Sequence, residues 1–434
     1  MKSILKKALI ALLVIIGFTV NAQKNNRSLD NYRAPNKNGL NIFESPKDTV
    51  STFDNVKVRI GGASTIQYQA LDHSNSNPTV VVDGEPSSPY QLKKIGYNFN
   101  LATANLDLDV ALYDGVRLHL RTYLSSRHHP EPYVKGGYIQ IDKLDFVSEG
   151  FMEDLMKFTT LKIGHMENNY GDAHFRRSDN AQTIYNPFVG NLIMDAFTTE
   201  VGAELYYMRN GFIGMLGFSN GKLNQSIDEK DGSTGGASLL VKLGYDKQIN
   251  NDFRLRLTGS LYNTGYVPNS YLYSADRTGS RYYGVMILDG ASDNFRSGRY
   301  NPSLSNKITA VMINPFIKYK GLEFFGTVET ANGRALSETD DRTVNQIAAE
   351  LIYRFGATEN FYFAGKYNTV SAEDNSAVDD KINISRFQVA AGWFMTQNIL
   401  LKAEYVSQKY DDFVPGIFED GKFNGFMVEA AISF

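Results

Sequence analysis

Five charged or ionisable residues fall within eight positions of one segment: Asp172, His174, Arg176, Arg177 and Asp179. In a narrow passage, opposed charges of this kind set up a transverse field that orders solutes and biases ion preference. On a surface loop the same residues would simply be solvated, and the segment alone does not choose between the two. A second set alternates with apolar residues: Lys57 and Arg59, Arg117, His119 and Arg121, Lys162, Lys242, Arg254 and Arg256, Lys318, Arg354, Lys366 and Lys402. The acidic members of these faces are Glu350, Glu404 and Glu429. The basic excess points to an interior that tolerates or weakly prefers anions. The plainer alternative is that these side chains pair with acidic neighbours to satisfy a wet interior.

Other chemistries find no support. The chain has no cysteine, which excludes disulfides, thiolate metal sites and a cysteine nucleophile. Its six histidines are His73, His119, His128, His129, His165 and His174, and they form no HxxxH pair or compact ligand triple. The His128-His129 doublet reads as a polar loop, and Asp379-Asp380 lacks the spacing of a calcium loop. No GxSxG nucleophile turn and no phosphate-cradling glycine loop occur. No enzyme, cofactor or resident metal is therefore expected. Lys plus Arg is 44 against 47 Asp plus Glu, a formal −3, which argues against nucleic acid as a partner. Twelve per cent aromatic residues argue against a disordered acidic chain.

The elements that position these residues have a period of two. Strands are predicted near 56–70, 94–112, 115–124, 133–146, 157–167, 196–208, 211–221, 236–247, 251–263, 306–320, 322–333, 343–355, 358–369, 384–395, 398–409 and 423–434. In 253–261, Arg254, Arg256, Thr258 and Ser260 share one face and Phe253, Leu255, Leu257 and Leu261 the other. The links between the sixteen segments alternate in length. Seven are short, such as Asp114-Gly115, Arg209-Asn210, Lys320-Gly321 and Thr396-Gln397, and eight are long, including 71–93, 168–195 and 264–305. A soluble sandwich has no reason to sort its loops onto one end. A transmembrane antiparallel β-barrel has short periplasmic turns and long external loops, and closes because lipid cannot satisfy a sheet edge. A hairpin around Arg281–Leu288 would raise the count to eighteen.

The N-terminus adds an address. Lys2, Lys6 and Lys7 precede an apolar run, Ala8–Val20, and Ala22 follows at a small-residue cleavage point. Residues 1–22 are thus expected to be a signal peptide rather than a spanning helix, which needs about 20 apolar residues. Residues 23–55 are polar and read as a periplasmic extension or small plug, with the barrel over 56–434. Aromatic residues near strand ends, among them Tyr206, Tyr207, Phe212, Phe218, Tyr245, Tyr262, Phe324, Phe325, Phe361, Tyr362 and Phe363, fit girdles at the two interfaces.

The stretch Leu161–Gly190, LKIGHMENNYGDAHFRRSDNAQTIYNPFVG, resembles Bacteroidetes-type outer-membrane porins related to the phosphate-selective porin O and P group. The strand Glu323–Arg334 adds diffuse support. The resemblance implies a sixteen-stranded channel, often trimeric, for anions or small solutes in the outer membrane of a Gram-negative bacterium. Within it, Gly164–Asn180 matches where such proteins run from a strand into a constricting loop, and 168–195 is the third long loop here. No phosphate-binding set carries over residue by residue. The terminal Phe434, on a final amphipathic strand, resembles the signal read by barrel-assembly machinery. The expected function is passive diffusion of small hydrophilic solutes, anions among them. The alternative is a non-enzymatic barrel subunit of a larger outer-membrane assembly, with residues 23–55 and the tyrosine-rich 264–305 link as contacts for other outer-membrane proteins.

Overall fold

A computed structural model describes residues 29–124, 133–223, 237–267, 269–274, 281–292 and 295–434. The segment 1–22 and the doublet His128-His129 lie outside the described residues.

Sixteen strands close one antiparallel barrel. They are β1 (Lys57–Ser74), β4 (Asn98–Tyr113), β5 (Val116–Leu124), β6 (Tyr133–Ile141), β7 (Thr159–Glu167), β8 (Thr199–Arg209), β9 (Phe212–Ser219), β10 (Ser238–Gln248), β11 (Phe253–Thr264), β12 (Lys307–Tyr319), β13 (Leu322–Arg334), β14 (Arg342–Phe355), β15 (Phe361–Ala372), β16 (Ile382–Thr396), β17 (Ile399–Asp411) and β18 (Lys422–Ser433). A two-stranded ribbon, β2 (Val80–Val82) with β3 (Glu85–Ser87), decorates the first long loop and had no alternation long enough to announce it. Residues 281–288 form no strand, so the barrel has sixteen and not eighteen.

The alternation explains the closure. Each strand turns one residue set to lipid and the next to the lumen, so a one-residue slip would expose every polar side chain. The exterior carries Leu243, Leu257, Ile347, Leu351, Phe363 and Phe426, each at least half exposed. The seam joins β1 to β18, with Thr65 opposite Ala431 and Gln67 opposite Glu429. Phe434 completes it: its N–H donates to the Gly62 carbonyl at 3.0 Å, and the Gly62 N–H donates to its carbonyl at 3.1 Å. Gly62 is required there, because a Cβ would stand 2.8 Å from the Asn105 carbonyl oxygen. An apolar exterior around a closed barrel of this size is an outer-membrane architecture.

The aromatic set divides between the faces. Phe361 stacks on Trp393 and Phe355 outside the barrel, near the β14–β15 turn, forming part of a girdle. Tyr206, Tyr262, Phe325 and Tyr362 instead point inward and are buried. Adjacent residues in a strand face opposite sides, so pairs such as Tyr206-Tyr207 and Phe324-Phe325 must split. The buried core of the molecule lies inside the lumen, where long segments pack against the wall.

Candidate functional site

The loop after β7 leaves the wall and crosses the lumen. Almost every residue of 168–198 is buried, in two short 3-10 turns (Ala173–Arg176 and Thr183–Tyr185) and irregular backbone. Backbone without a ladder needs partners, and the polar wall supplies them. Lys402 donates to the carbonyls of Thr183, Asn186 and Phe188 at 3.2, 3.0 and 2.7 Å. Lys366 donates to Gly190 O at 3.1 Å and Arg386 to Asn191 O at 2.7 Å. Glu404 accepts from the N–H groups of Val189 and Gly190, Asn368 from Ile193 and Gln346 from Met194. Lumen side chains on β14–β17 are therefore struts that fix this loop.

The five loop residues singled out in the sequence come inside, each already partnered. Asp172 accepts from Arg256 Nε and Nη2, both at 2.8 Å, from Lys242 at 3.0 Å and from Thr258 Oγ1 at 2.7 Å. Burial alone would raise the Asp172 carboxyl, but Arg256 and Lys242 outweigh it and hold it well below the carboxylate range. His174 bridges Glu167 and Asn169 at 2.9 and 3.0 Å. Arg176 lies 3.3 Å from Glu350 and over the Phe325 ring. Arg177 makes a forked pair with Asp195 at 2.8 to 3.1 Å. Asp179 meets Lys135 at 3.1 Å.

A second inward element comes from the N-terminal segment, here 29–56, whose plan the sequence left undefined. Its two ends are tied together: Asp48 N–H donates to the Asn31 side chain at 2.7 Å, and Thr52 N–H to Asp30 at 2.7 Å. Its middle reaches the short turns around the mouth. Lys37 N–H donates to Gln397 O at 2.8 Å, Arg254 to Asn41 O at 2.9 Å, and Lys47 to Thr159 O at 2.6 Å and Asp142 at 3.0 Å. The fold-back at Gly39 needs glycine, since a Cβ would sit 2.0 Å from the Ala34 oxygen. This strap and the crossing loop touch: Arg33 donates to Phe175 O at 3.0 Å and stacks 3.8 Å over the Tyr185 ring.

The described parts of the long link between β11 and β12 pack inside the lumen against the wall and the crossing loop, with the Tyr300 N–H donating to Ile193 O at 2.8 Å. Tyr273 donates to Glu329 at 2.7 Å and Tyr282 to Glu404 at 2.6 Å, while Tyr300 reaches Asp374 at 2.7 Å. The sequence reading offered these tyrosines as partner contacts. Burial against the wall accounts for Tyr273, Tyr282 and Tyr300.

The remaining wall residues face inward as the alternation requires. Lys57 sits near the strap beside Asp54 at 3.1 Å, and Arg59 lies 3.3 Å from Asp109. Arg117 and His119 share Asp109 at 3.1 and 2.8 Å, and Arg121 pairs with Asp107 at 2.7 Å. Arg254 pairs with Asp246 at 2.7 Å, and Lys318 and Arg354 share Glu323 at 3.2 and 2.8 Å. Lys402 also pairs with Glu429 at 2.8 Å, and Lys366 lies 3.5 Å from Glu350. Sequence reasoning missed Asp107, Asp109, Asp246 and Glu323 as lumen carboxylates. The signal was present in the alternation Asn105-Leu106-Asp107-Leu108-Asp109, and counting these acids shrinks the basic excess.

One side of the lumen keeps unfilled space. Between the strap, the crossing loop and the β5–β8 wall lies a cavity of about 160 Å³, lined by Tyr32, Arg33, Arg117, Arg121, Lys162 and Tyr206 among others. Among the described residues no cluster of His, Asp or Glu is arranged to hold a metal ion.

No protein-family model and no curated protein matches the chain. Solved outer-membrane barrels do. An anion-selective porin from Comamonas acidovorans superposes with a TM-score of 0.53 at 10% identity, over 88% of this chain and 100% of that one. OmpT of Vibrio cholerae in its trimer form gives 0.51 at 11%, over 88% and 100%. The outer membrane channel DcaP of Acinetobacter baumannii gives 0.51 at 11%, over 88% and 98%. At these identities the likeness is one of fold: a sixteen-stranded outer-membrane porin barrel.

Proposed function

We propose that the chain is an outer-membrane diffusion channel for small hydrophilic solutes, held constricted by the crossing loop 168–198 and by the strap 29–56, which acts as a plug. The observation that carries this reading is the cavity on the β5–β8 side. There the crossing loop touches the wall at Arg121, which donates to Asn180 O at 2.6 Å, but does not fill it, and Arg117, Arg121 and Lys162 border free volume. A barrel whose only task was structural would gain by packing that side as it packs β14–β17.

Preference for anions is part of the proposal, because Lys162 lines this cavity with aromatic rings and no carboxylate beside its ammonium. The likeness of Leu161–Gly190 to Bacteroidetes-type porins of the O and P group supports the same reading, as does the loop's place as the third long loop, after the fifth barrel strand. A homotrimer is the assembly we propose, on the model of the trimeric barrel among the structural neighbours. A signal peptide over 1–22, and Phe434 as the mark read by assembly machinery, complete the picture. Planar-bilayer recording tests it: the purified chain should give discrete steps of small conductance. A barrel that never conducts, even without residues 29–53, would overturn the channel.

A further inference from the structure

Lys162 differs from the other cations of the cavity. Arg117 and Arg121 are paired with Asp109 and Asp107, and Lys135 with Asp179. Arg33 donates to two backbone carbonyls. The Lys162 ammonium has the rings of Tyr206 and Tyr138 at 5.0 and 5.7 Å. No carboxylate or carbonyl of the described residues lies within bonding reach of it.

The two carboxylates lining the same cavity do not compensate it. Glu167 accepts from His174, Asn180 and Gln182. Glu204 accepts from the Asn169 N–H and the Tyr206 hydroxyl. Glu167 is turned into the crossing loop, and Glu204, opposite Lys162 in the β7–β8 ladder, accepts on each oxygen from another donor and forms no ion pair with Lys162. A half-buried ammonium facing only aromatic rings keeps its appetite for one anionic oxygen pair, because cation–π contacts return only part of its lost hydration.

The surroundings restrict what brings that anion. Inorganic phosphate is strongly hydrated and needs several donors at once, whereas one free ammonium stands here. The neighbouring surface is aromatic: Phe43, Tyr138, Phe175 and Tyr206 line the cavity. Its volume, about 160 Å³, is close to that of an engineered cavity of about 150 Å³ that accepts benzene. We propose that this cavity binds a compact organic monoanion, a carboxylate carried on one six-membered ring, with the carboxylate on Lys162 and the ring against Tyr138 and Tyr206.

This deepens the channel reading by naming a solute class, and its test does not depend on conductance. Isothermal titration of the full chain in detergent with benzoate and with cyclohexanecarboxylate should give saturable binding at one site. Inorganic phosphate should not displace either. Lys162→Gln should weaken binding roughly tenfold or more, the loss of a charge-assisted hydrogen bond, and Lys162→Arg should restore most of it. Tyr138→Leu should weaken both ring acids while sparing heat-modifiable folding. Absence of saturable binding, equal competition by phosphate, or unchanged affinity in Lys162→Gln overturns the site. Should a variant fail to fold, the wild-type competition decides alone. A chain that binds but does not conduct overturns the channel reading and leaves the site standing; one that conducts without binding does the reverse.

Discussion

Glu44 and Asp172, one on the N-terminal strap and one on the crossing loop, are held by a single guanidinium. Arg256 donates from Nη1 and Nη2 to Glu44 at 2.8 and 3.0 Å, and from Nε and Nη2 to Asp172 at 2.8 Å each. Lys242 stands 3.0 Å from Asp172 and 3.7 Å from Glu44. Two inward elements thus share one buried anchor on β10 and β11, and displacing either leaves charge uncompensated for the other.

Glu44→Gln should therefore loosen the strap. Removing one partner of a buried ion pair typically costs about 3–5 kcal/mol, and the apolar hold on the strap near Glu44 rests on Phe43 against Phe316 and Phe325. Limited trypsinolysis should cut at Arg33, Lys37 or Lys47 at least several-fold faster than in the parent chain. Unchanged protection would mean that the strap is held elsewhere.

The same anchor sets a pH window. Burial would raise Glu44, but Arg256 and Lys242 outweigh it and lower its carboxyl from the ordinary 4.5 to about 2. A depressed carboxyl contributes stability that is complete above its unfolded value and is lost as pH falls through the folded one. Conductance should stay flat from pH 8 to pH 5 and rise only as pH drops from 4.5 toward 2. A transition near neutral pH would assign the gate to another group.

The lipid face gives a third expectation. Leu257 is 51% exposed on β11, and Leu257→Lys should destabilise the bilayer-inserted barrel by roughly 2–4 kcal/mol if it sits near the midplane. Leu257→Phe should be nearly neutral by denaturant titration in lipid. By the alternation alone, the lumen-side Thr258 and Ser260 would tolerate lysine far better than Leu257. Both are buried and Thr258 donates to Asp172, so lysine at 258 should displace the crossing loop.

Deleting Phe434 removes both hydrogen bonds to Gly62 at the seam. The heat-modifiable fraction recovered from membranes should fall severalfold. Full recovery would show that β18 closes on β1 without its last residue.

The strands were legible because a period of two runs through every segment, and their number because short turns alternate with long loops. Two things were not. Inside a barrel, polar alternation looks the same whether a side chain faces water or another chain segment, so Lys366 and Lys402 read as pore lining although they hold loop backbone. The strap was equally opaque, because residues 29–56 have no apolar period. Their order comes from scattered long-range contacts such as Glu44 with Arg256 and Lys47 with Thr159, which no local pattern encodes. The placement of Asp172–Asp179 inside the barrel agrees with the third-loop argument, whereas their pairing with Arg256, Glu350, Asp195 and Lys135 could be seen only in three dimensions.

The central claim is that strap and crossing loop close a channel from within. Its most direct test is single-channel conductance in planar bilayers, comparing the intact chain with one lacking residues 29–53. The account predicts discrete, small steps for the intact chain and steps at least several-fold larger once the strap is gone, with Glu44→Gln in between. Equal conductance with and without the strap would contradict it.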